Sequence, residues 1–508
     1  MKTALKLSLI TWLWLFVINI GTYGINDTTA RLQMAHAWWT GTEEATLPAD
    51  YKPTSRLELL GVIGEGGKVY LPYDIGQSIL MLPGDWVGTQ LWQMFPQFGE
   101  KFWRRLTVNF LIFMPLNVAV VVSCFKFLKL FDFEERIAGL ASIVWLLSTT
   151  VLHYAQEPQQ NNQILLFVTL GYATALASAL RKNTLFVVLS GLASSAALLI
   201  RSSSVIHVFT IYIFLIGCLV YQKIDKIKIL KMVGFWILGF IPLIFLGRVV
   251  DYFRFGNFLT TGQSLSLKQI HTHPIFAGLP DLPANYPWIN PPHVGIWGAL
   301  LSPAKSIFIY DPLLLPCLIL GILLWKKLSP YIQLYLISSI FNLVLHIFLT
   351  SRLDFWHGDA AWGARYHVTS VHLLLIPLIA LSIQKLSLAR GFQRWSIQGI
   401  ISLAILVQIS SVVLPPSMES SQINFATPEM FLEFRLGERL HNIACLVNRS
   451  FASDCMTRLT RQNKNPWKAL KDYTFPFNFT NNRVLSFTIW GIMLIMAIAT
   501  TVRFCFLY

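Results

Sequence analysis

Apolar residues in this chain come in long uninterrupted blocks, with polar residues gathered between them, and not at the short period of a soluble element. Blocks lie near 5–20, 107–125, 137–152, 163–180, 184–200, 205–222, 232–249, 307–325, 331–350, 367–384, 397–414 and 484–504. Each is close to the roughly 17–25 residues that cross a hydrocarbon core of about 30 Å. The pattern predicts an all-α polytopic membrane protein with about twelve transmembrane helices.

The polar stretches fix an orientation. Lys2 and Lys6 precede the first block, which places the amino end on the cytoplasmic side, and no small-residue cleavage site follows closely, so the block is read as retained. Counting from there, every inside connection is basic: Lys126, Lys129 and Arg136, then Arg181 and Lys182, then Lys223 to Lys231, then Lys326 and Lys327, then Lys385 to Arg394. Three long loops remain outside, at 21–106, 250–306 and 415–483. Residues 28–39 have helical spacing, with Ala30, Met34, Ala37 and Trp38 on one side, and predict an interfacial helix with Trp38 and Trp39 at headgroup depth. The expected organisation is a membrane module over 1–414, including the first two outer loops, followed by an outer loop and last helix over 415–508.

Composition sharpens this picture. Of 508 residues 54% are hydrophobic and 13% charged, against about 25% charged in soluble domains, and the mean hydropathy is +0.55. The net charge of +15 would suggest nucleic acid in a soluble protein. Here the basic residues sit in short loops as the positive-inside bias requires, and no soluble basic domain exists to hold a nucleic acid. Cys124, Cys218, Cys317 and Cys505 lie in or beside apolar blocks, whereas Cys445 and Cys455 share a polar loop where a disulfide can form in an oxidising compartment.

Candidate chemistry gathers at the outer ends of the blocks. Asp27 follows the first block; a helix starting at Thr28 would use it as a cap, and a carboxylate there can also act as a general base. Tyr73 and Asp74 sit in a Tyr-Pro-Gly loop suited to turns or to a sugar. His153 and Glu157 flank an outer turn closed by Pro158, where Glu157 is a candidate for a metal or a substrate hydroxyl. Arg201 ends an apolar block, where it can snorkel or meet an anion. Lys305 lies in Leu-Ser-Pro-Ala-Lys-Ser, outside, where topology does not require positive charge. Asp311-Pro312 reads as a helix cap followed by Pro at the first helical position. Arg352, Trp362 and Arg365 crowd the turn before the block at 367; an aromatic belt explains the tryptophan, and bidentate phosphate contact suits the arginines.

Taken in order, these residues resemble the GT-C glycosyltransferases, the family of dolichyl-phosphate-mannose–protein mannosyltransferases and bacterial lipid A aminoarabinose transferases. The resemblance rests on Asp27 after the first span, the Gly67–Gly76 stretch with Tyr70 and Tyr73, Glu157 in an outer turn, and Arg201 ending a span. It continues with Tyr252-Phe253-Arg254-Phe255-Gly256-Asn257, Leu-Ser-Pro-x-Lys-x-x-Phe-x-Tyr from Leu301 and Trp-Gly-x-Arg-Tyr from Trp362. It covers about residues 1–385.

It implies a membrane-bound polyprenyl-phosphate-sugar donor and an inverting transfer of a hexose or pentose to a hydroxyl or amine on a lipid, glycan or protein acceptor. The implied setting is the outer face of a bacterial plasma membrane, in cell-envelope glycosylation. Asp27 would be the base, Arg201, Lys305 and Arg365 the phosphate partners, and Tyr73, Asp74, His153, Glu157, Arg352 and Trp362 the substrate contacts. The cofactor is left open, with a divalent metal as the candidate; Asp27 is followed by Thr28 where many members carry a second acid.

Two rival classes predict different patterns. A transporter or flippase should place polar residues mid-span in matching halves, and no two halves match here. A polysaccharide polymerase or ligase would share the lipid-linked sugar chemistry, and the early Asp27 is the feature that separates it.

Overall fold

The computed structural model describes residues 2–507 apart from 22, 24–25, 49–50, 59–60, 359–360, 415–432, 456–473, 475 and 477–481. Most of the third outer loop thus lies outside the described residues. Helix dominates, and the strands form a single two-stranded ribbon among the described residues. Among the described residues eight helices are long and apolar enough to cross a membrane: Glu100–Leu130, Gln160–Arg181, Ser202–Tyr221, Lys226–Phe255, Pro330–Thr350, Val368–Leu388, Gly391–Val413 and Arg483–Phe506. The shorter apolar helix Thr184–Ile200 adds a ninth segment. The remaining expected blocks also form helices, Lys2–Ile18, Glu135–Ser148 and Leu314–Leu324, each below about 18 residues. The chain is a multi-pass, all-α membrane protein.

The helices divide into two compact units. One holds residues 1–24, 114–169 and 290–508. Its centre is Val368–Leu388, buried along almost its whole length, as expected of a helix apolar on every side. Pro377 inside this helix has no N–H for the carbonyl four residues earlier. That carbonyl, on Leu373, instead accepts from the Tyr335 hydroxyl at 2.8 Å, and the next one back, on His372, accepts from Trp145 Nε1 at 3.0 Å. Neighbouring helices thus tie the core helix where its own ladder is weakest.

The other unit holds residues 25–113 and 170–289. Thr184–Ile200 and Lys226–Phe255 pack with their backbones in near contact. A Cβ added at Gly191 would stand 2.1 Å from the Trp236 carbonyl oxygen, and one at Gly239 2.0 Å from that of Val188. Small residues at a crossing are the usual means of close helix approach in lipid. The predicted interfacial helix is Asn26–Thr40. Its indoles are committed to carboxylates: Trp38 Nε1 donates to Glu44 at 2.8 Å and Trp39 Nε1 to Asp85 at 2.8 Å. Fully buried Asp85 also accepts from Arg104 Nε at 2.5 Å and lies 2.9 Å from His36 Nδ1, which pins Gly76–Met94 to Glu100–Thr107 and Asn26–Thr40. The glycine-rich stretch forms the ribbon Val62–Ile63 with Val69–Tyr70, antiparallel, as a turn and not a phosphate loop. Gly64 is required there, since a Cβ would meet the Arg254 carbonyl oxygen at 2.2 Å.

Candidate functional site

In the second of these units the residues group around Asp27. The helix starts at Asn26, so Asp27 lies in its first turn and is not the cap expected of it. An acid there still faces the positive end of the helix dipole. Its side chain is 37% exposed. Tyr73 donates its hydroxyl to Asp27 Oδ1 at 2.8 Å, and Arg31 Nη1 stands 4.0 Å from Oδ2. The Arg31 guanidinium lies over the Tyr73 ring, 4.2 Å from its centroid. Spacing of four residues on one helix brings Arg31 to the same face as Asp27. The carboxylate is therefore oriented by a phenol and a cation while remaining reachable.

Tyr73 and Asp74 line a cavity of about 210 Å³ together with Leu198, Leu199, Ser202, Ile244, Arg248 and Asp251. Asp74 is turned to Ser202: its two oxygens accept from the Ser202 N–H at 2.9 Å and hydroxyl at 2.7 Å. Burial pushes the Asp74 carboxyl above its ordinary range, opposed by those two bonds and by the Arg31 and Arg201 charges. Arg201 ends Thr184–Ile200 in an extended conformation and is half-buried beside Ser202. On the far wall, Arg248 Nη2 holds Asp251 Oδ2 at 2.5 Å. Arg254, one turn on, is buried against Glu44 Oε2 at 2.9 Å and Asp251 Oδ1 at 3.6 Å. The cavity is thus lined by leucine and isoleucine side chains together with Asp74 and the Arg248–Asp251 pair.

Sequence reasoning did not assign Arg31, Ser202, Arg248 or Asp251 to the site. The signal for two of them was present: Arg248, Asp251 and Arg254 repeat every third residue at the end of an otherwise apolar block, one helical face. The block was bounded at 249, before that repeat is complete. Arg31 and Ser202 carry no such signal, because their roles arise from the tertiary approach of Tyr73 and Asp74.

In the first unit, a separate group forms at the turn before Val368–Leu388. Trp362 is buried, with the His153 ring stacked at 5.9 Å and the Tyr310 ring edge-on at 4.8 Å. Tyr154 donates its hydroxyl to the Trp362 carbonyl at 2.8 Å. Lys305 is fully buried and donates Nζ to the Ala361 carbonyl at 2.5 Å. Arg365 is half-buried, and its carbonyl accepts from Asn161 Nδ2 at 2.9 Å. Glu157 is buried and accepts from Gln159 Nε2 at 3.1 Å. His153, Lys305, Trp362 and the backbone of Arg365 thus meet around one turn. Arg352 is exposed, and its carbonyl accepts from the Asn290 N–H. Asp311 does not cap a helix at Pro312: Leu314–Leu324 begins two residues later, and the buried Asp311 carboxylate instead accepts from the Thr150 N–H at 2.8 Å and hydroxyl at 2.9 Å.

Among the described residues Asp27 belongs to no group of three or more His, Cys, Asp or Glu close enough together to hold a metal; a phenol and a guanidinium lie beside its oxygens. Among the described residues the donors that cluster tightly are His441, Cys445 and Cys455. The two sulfurs of that trio are joined in a disulfide, which removes them as thiolate ligands.

No family model matches the chain, and no curated protein does. Among solved structures it is similar to ArnT from Cupriavidus metallidurans, crystallised in the apo state, with 12% identity and a TM-score of 0.41. The match covers 98% of this chain and 77% of that one.

Proposed function

We propose that the protein is an inverting glycosyltransferase that moves a sugar from a polyprenyl-phosphate donor to an acceptor hydroxyl or amine at the non-cytoplasmic face of a bacterial plasma membrane. The observation that carries the reading is the Asp27 carboxylate, 37% exposed and steered by Tyr73 and Arg31, with Tyr73 also lining a cavity walled by apolar side chains, Asp74, Arg248 and Asp251. In the transfer, the acceptor oxygen forms a bond to the anomeric carbon as the bond from that carbon to the phosphate oxygen breaks. The phosphate keeps the electron pair, and the acceptor proton passes to Asp27. A positioned base of this kind contributes roughly 10²–10⁴-fold.

Negative charge grows on the departing phosphate, so fixed cations aimed at it lower the barrier. Arg248, in the cavity wall, and Arg201, the residue before the lining Ser202, are proposed for that role. Arg248 does so by exchanging its Asp251 partner for phosphate, since it is the more exposed member of the pair. Tyr73 and Asp74 contact the sugar. In the other unit, Lys305 and Arg365 are proposed phosphate contacts, and His153, Glu157, Arg352 and Trp362 substrate contacts, each to be tested on its own.

The test is release of polyprenyl phosphate from polyprenyl-phosphate sugars by purified protein, with and without added acceptors. Acceptor-dependent release, with KM for the donor raised about tenfold or more in Arg248→Ala as for a lost charged hydrogen bond, is expected. No release from any donor across hexose and pentose head groups would overturn the reading.

A further inference from the structure

The third outer loop carries a helix of unusual polarity. Arg435–Val447 buries Arg435, Arg439, Asn442 and Cys445 on one face, at spacings of four, three and three. Two of its apolar residues, Leu440 and Val447, are turned outward, 51% and 84% exposed, while Leu436, Ile443 and Leu446 are only partly buried. An ordinary loop helix does the reverse. Burying two guanidinium groups is costly without partners, so the partners reveal what this face is for.

Arg435 Nη1 donates to the Ala361 carbonyl at 3.1 Å, the same oxygen that accepts from Lys305 Nζ at 2.5 Å. Arg439 Nη1 donates to the Leu414 carbonyl at 3.0 Å, and its guanidinium lies 5.2 Å from the Trp362 ring centroid. Leu436 packs on Tyr310 and Trp362. At the far end the Cys445–Cys455 disulfide, packed on Leu414, closes the segment on itself. His441 and Asp454 add a second tie across the same closure at 3.1 Å. One short segment thus grips the turn that carries Ala361, Trp362 and Arg365, and shares a carbonyl with Lys305.

We propose that residues 435–455 are a disulfide-closed clamp that positions Lys305 and the 361–365 turn, with Arg435 and Arg439 as its positioning residues. Arg435 sets where the Ala361 carbonyl lies, and through it where the Lys305 ammonium points. Arg439 keeps Trp362 in its stack with His153. The two arginines differ in what they need. The Arg435 bond to the Ala361 carbonyl is one a lysine can reproduce; Arg439 needs a planar cation over an indole, which a lysine reproduces poorly.

The inference rests on the transferase reading only in its kinetic arm. Amide hydrogen exchange over residues 361–366 is measured on the full chain in detergent for wild type, Arg435→Ala, Arg435→Lys, Arg439→Ala, Arg439→Lys and the Cys445→Ser/Cys455→Ser double variant. Size-exclusion elution checks that each stays folded. Exchange in this turn should rise about tenfold in both alanine variants and in the double variant, as local opening becomes easier. Arg435→Lys should restore protection and Arg439→Lys should not. In the transfer assay, Arg435→Ala should raise the donor KM while changing kcat less. Unchanged exchange at 361–366 in the folded alanine variants, or equal rescue by lysine at both positions, would overturn the clamp. Absence of transfer in wild type would instead remove the transferase reading and leave the exchange result to decide the clamp.

Discussion

At Asp27 the proposed chemistry depends on neighbours that orient the carboxylate while its side chain keeps 37% of its exposure. Tyr73 supplies a single hydrogen bond to Oδ1. Tyr73→Phe should therefore leave the fold intact and lower kcat roughly tenfold, the scale of one hydrogen bond to a charged group; single-turnover transfer rates check this. Asp74 behaves differently. Its carboxyl is raised from 3.8 mainly by burial. Below that ordinary value both the folded and unfolded chains hold the proton. Above it the unfolded chain releases its proton first, so stability falls as pH climbs toward the raised folded value and stays lower beyond it. Thermal melts in detergent across this window should show that decline in wild type and a flatter profile in Asp74→Asn. The position of Asp27 after the first apolar block is read directly from the chain. Its partners are not, because Arg31 reads as one more polar residue on a surface helix until the 71–75 loop folds over it.

Single helices were the most legible level. Each expected apolar block is occupied by a helix, since the length of a block and the absence of charge are read directly from the chain. What the pattern hides is how helices touch. Nothing in the hydropathy of Thr184–Ile200 distinguishes Gly191 from its neighbours, yet the Trp236 carbonyl sits where a side chain would begin. Gly191→Leu should force the two helices apart and destabilise the protein by about 1–3 kcal/mol or more, seen as a lower melting temperature in detergent. Tyr335→Phe should cost about 1–3 kcal/mol, because it strips the Leu373 carbonyl of the donor that replaces the one Pro377 lacks. The clamp helix was illegible for the opposite reason: its buried face is charged, so periodicity points the wrong side inward.

For the whole molecule, the basic inside turns and the three long outer loops predict a fixed orientation. Cysteines placed at Lys182 and Lys268, both exposed, test it. In intact cells or right-side-out vesicles, an impermeant thiol reagent should label Lys268→Cys and spare Lys182→Cys until the membrane is opened. The reverse pattern would put the Asp27 loop on the cytoplasmic side and remove the need for a lipid-carried donor. The split into two units was not visible in the sequence. Both interleave along the chain, and a boundary made by four crossings leaves no linker to read. The most direct measurement of the central claim compares wild type with Asp27→Asn in transfer from a polyprenyl-phosphate sugar. A loss of about a hundredfold or more in turnover, with donor KM little changed and the variant eluting as folded protein, is the expected result for a lost general base. Equal turnover in the two proteins would contradict it.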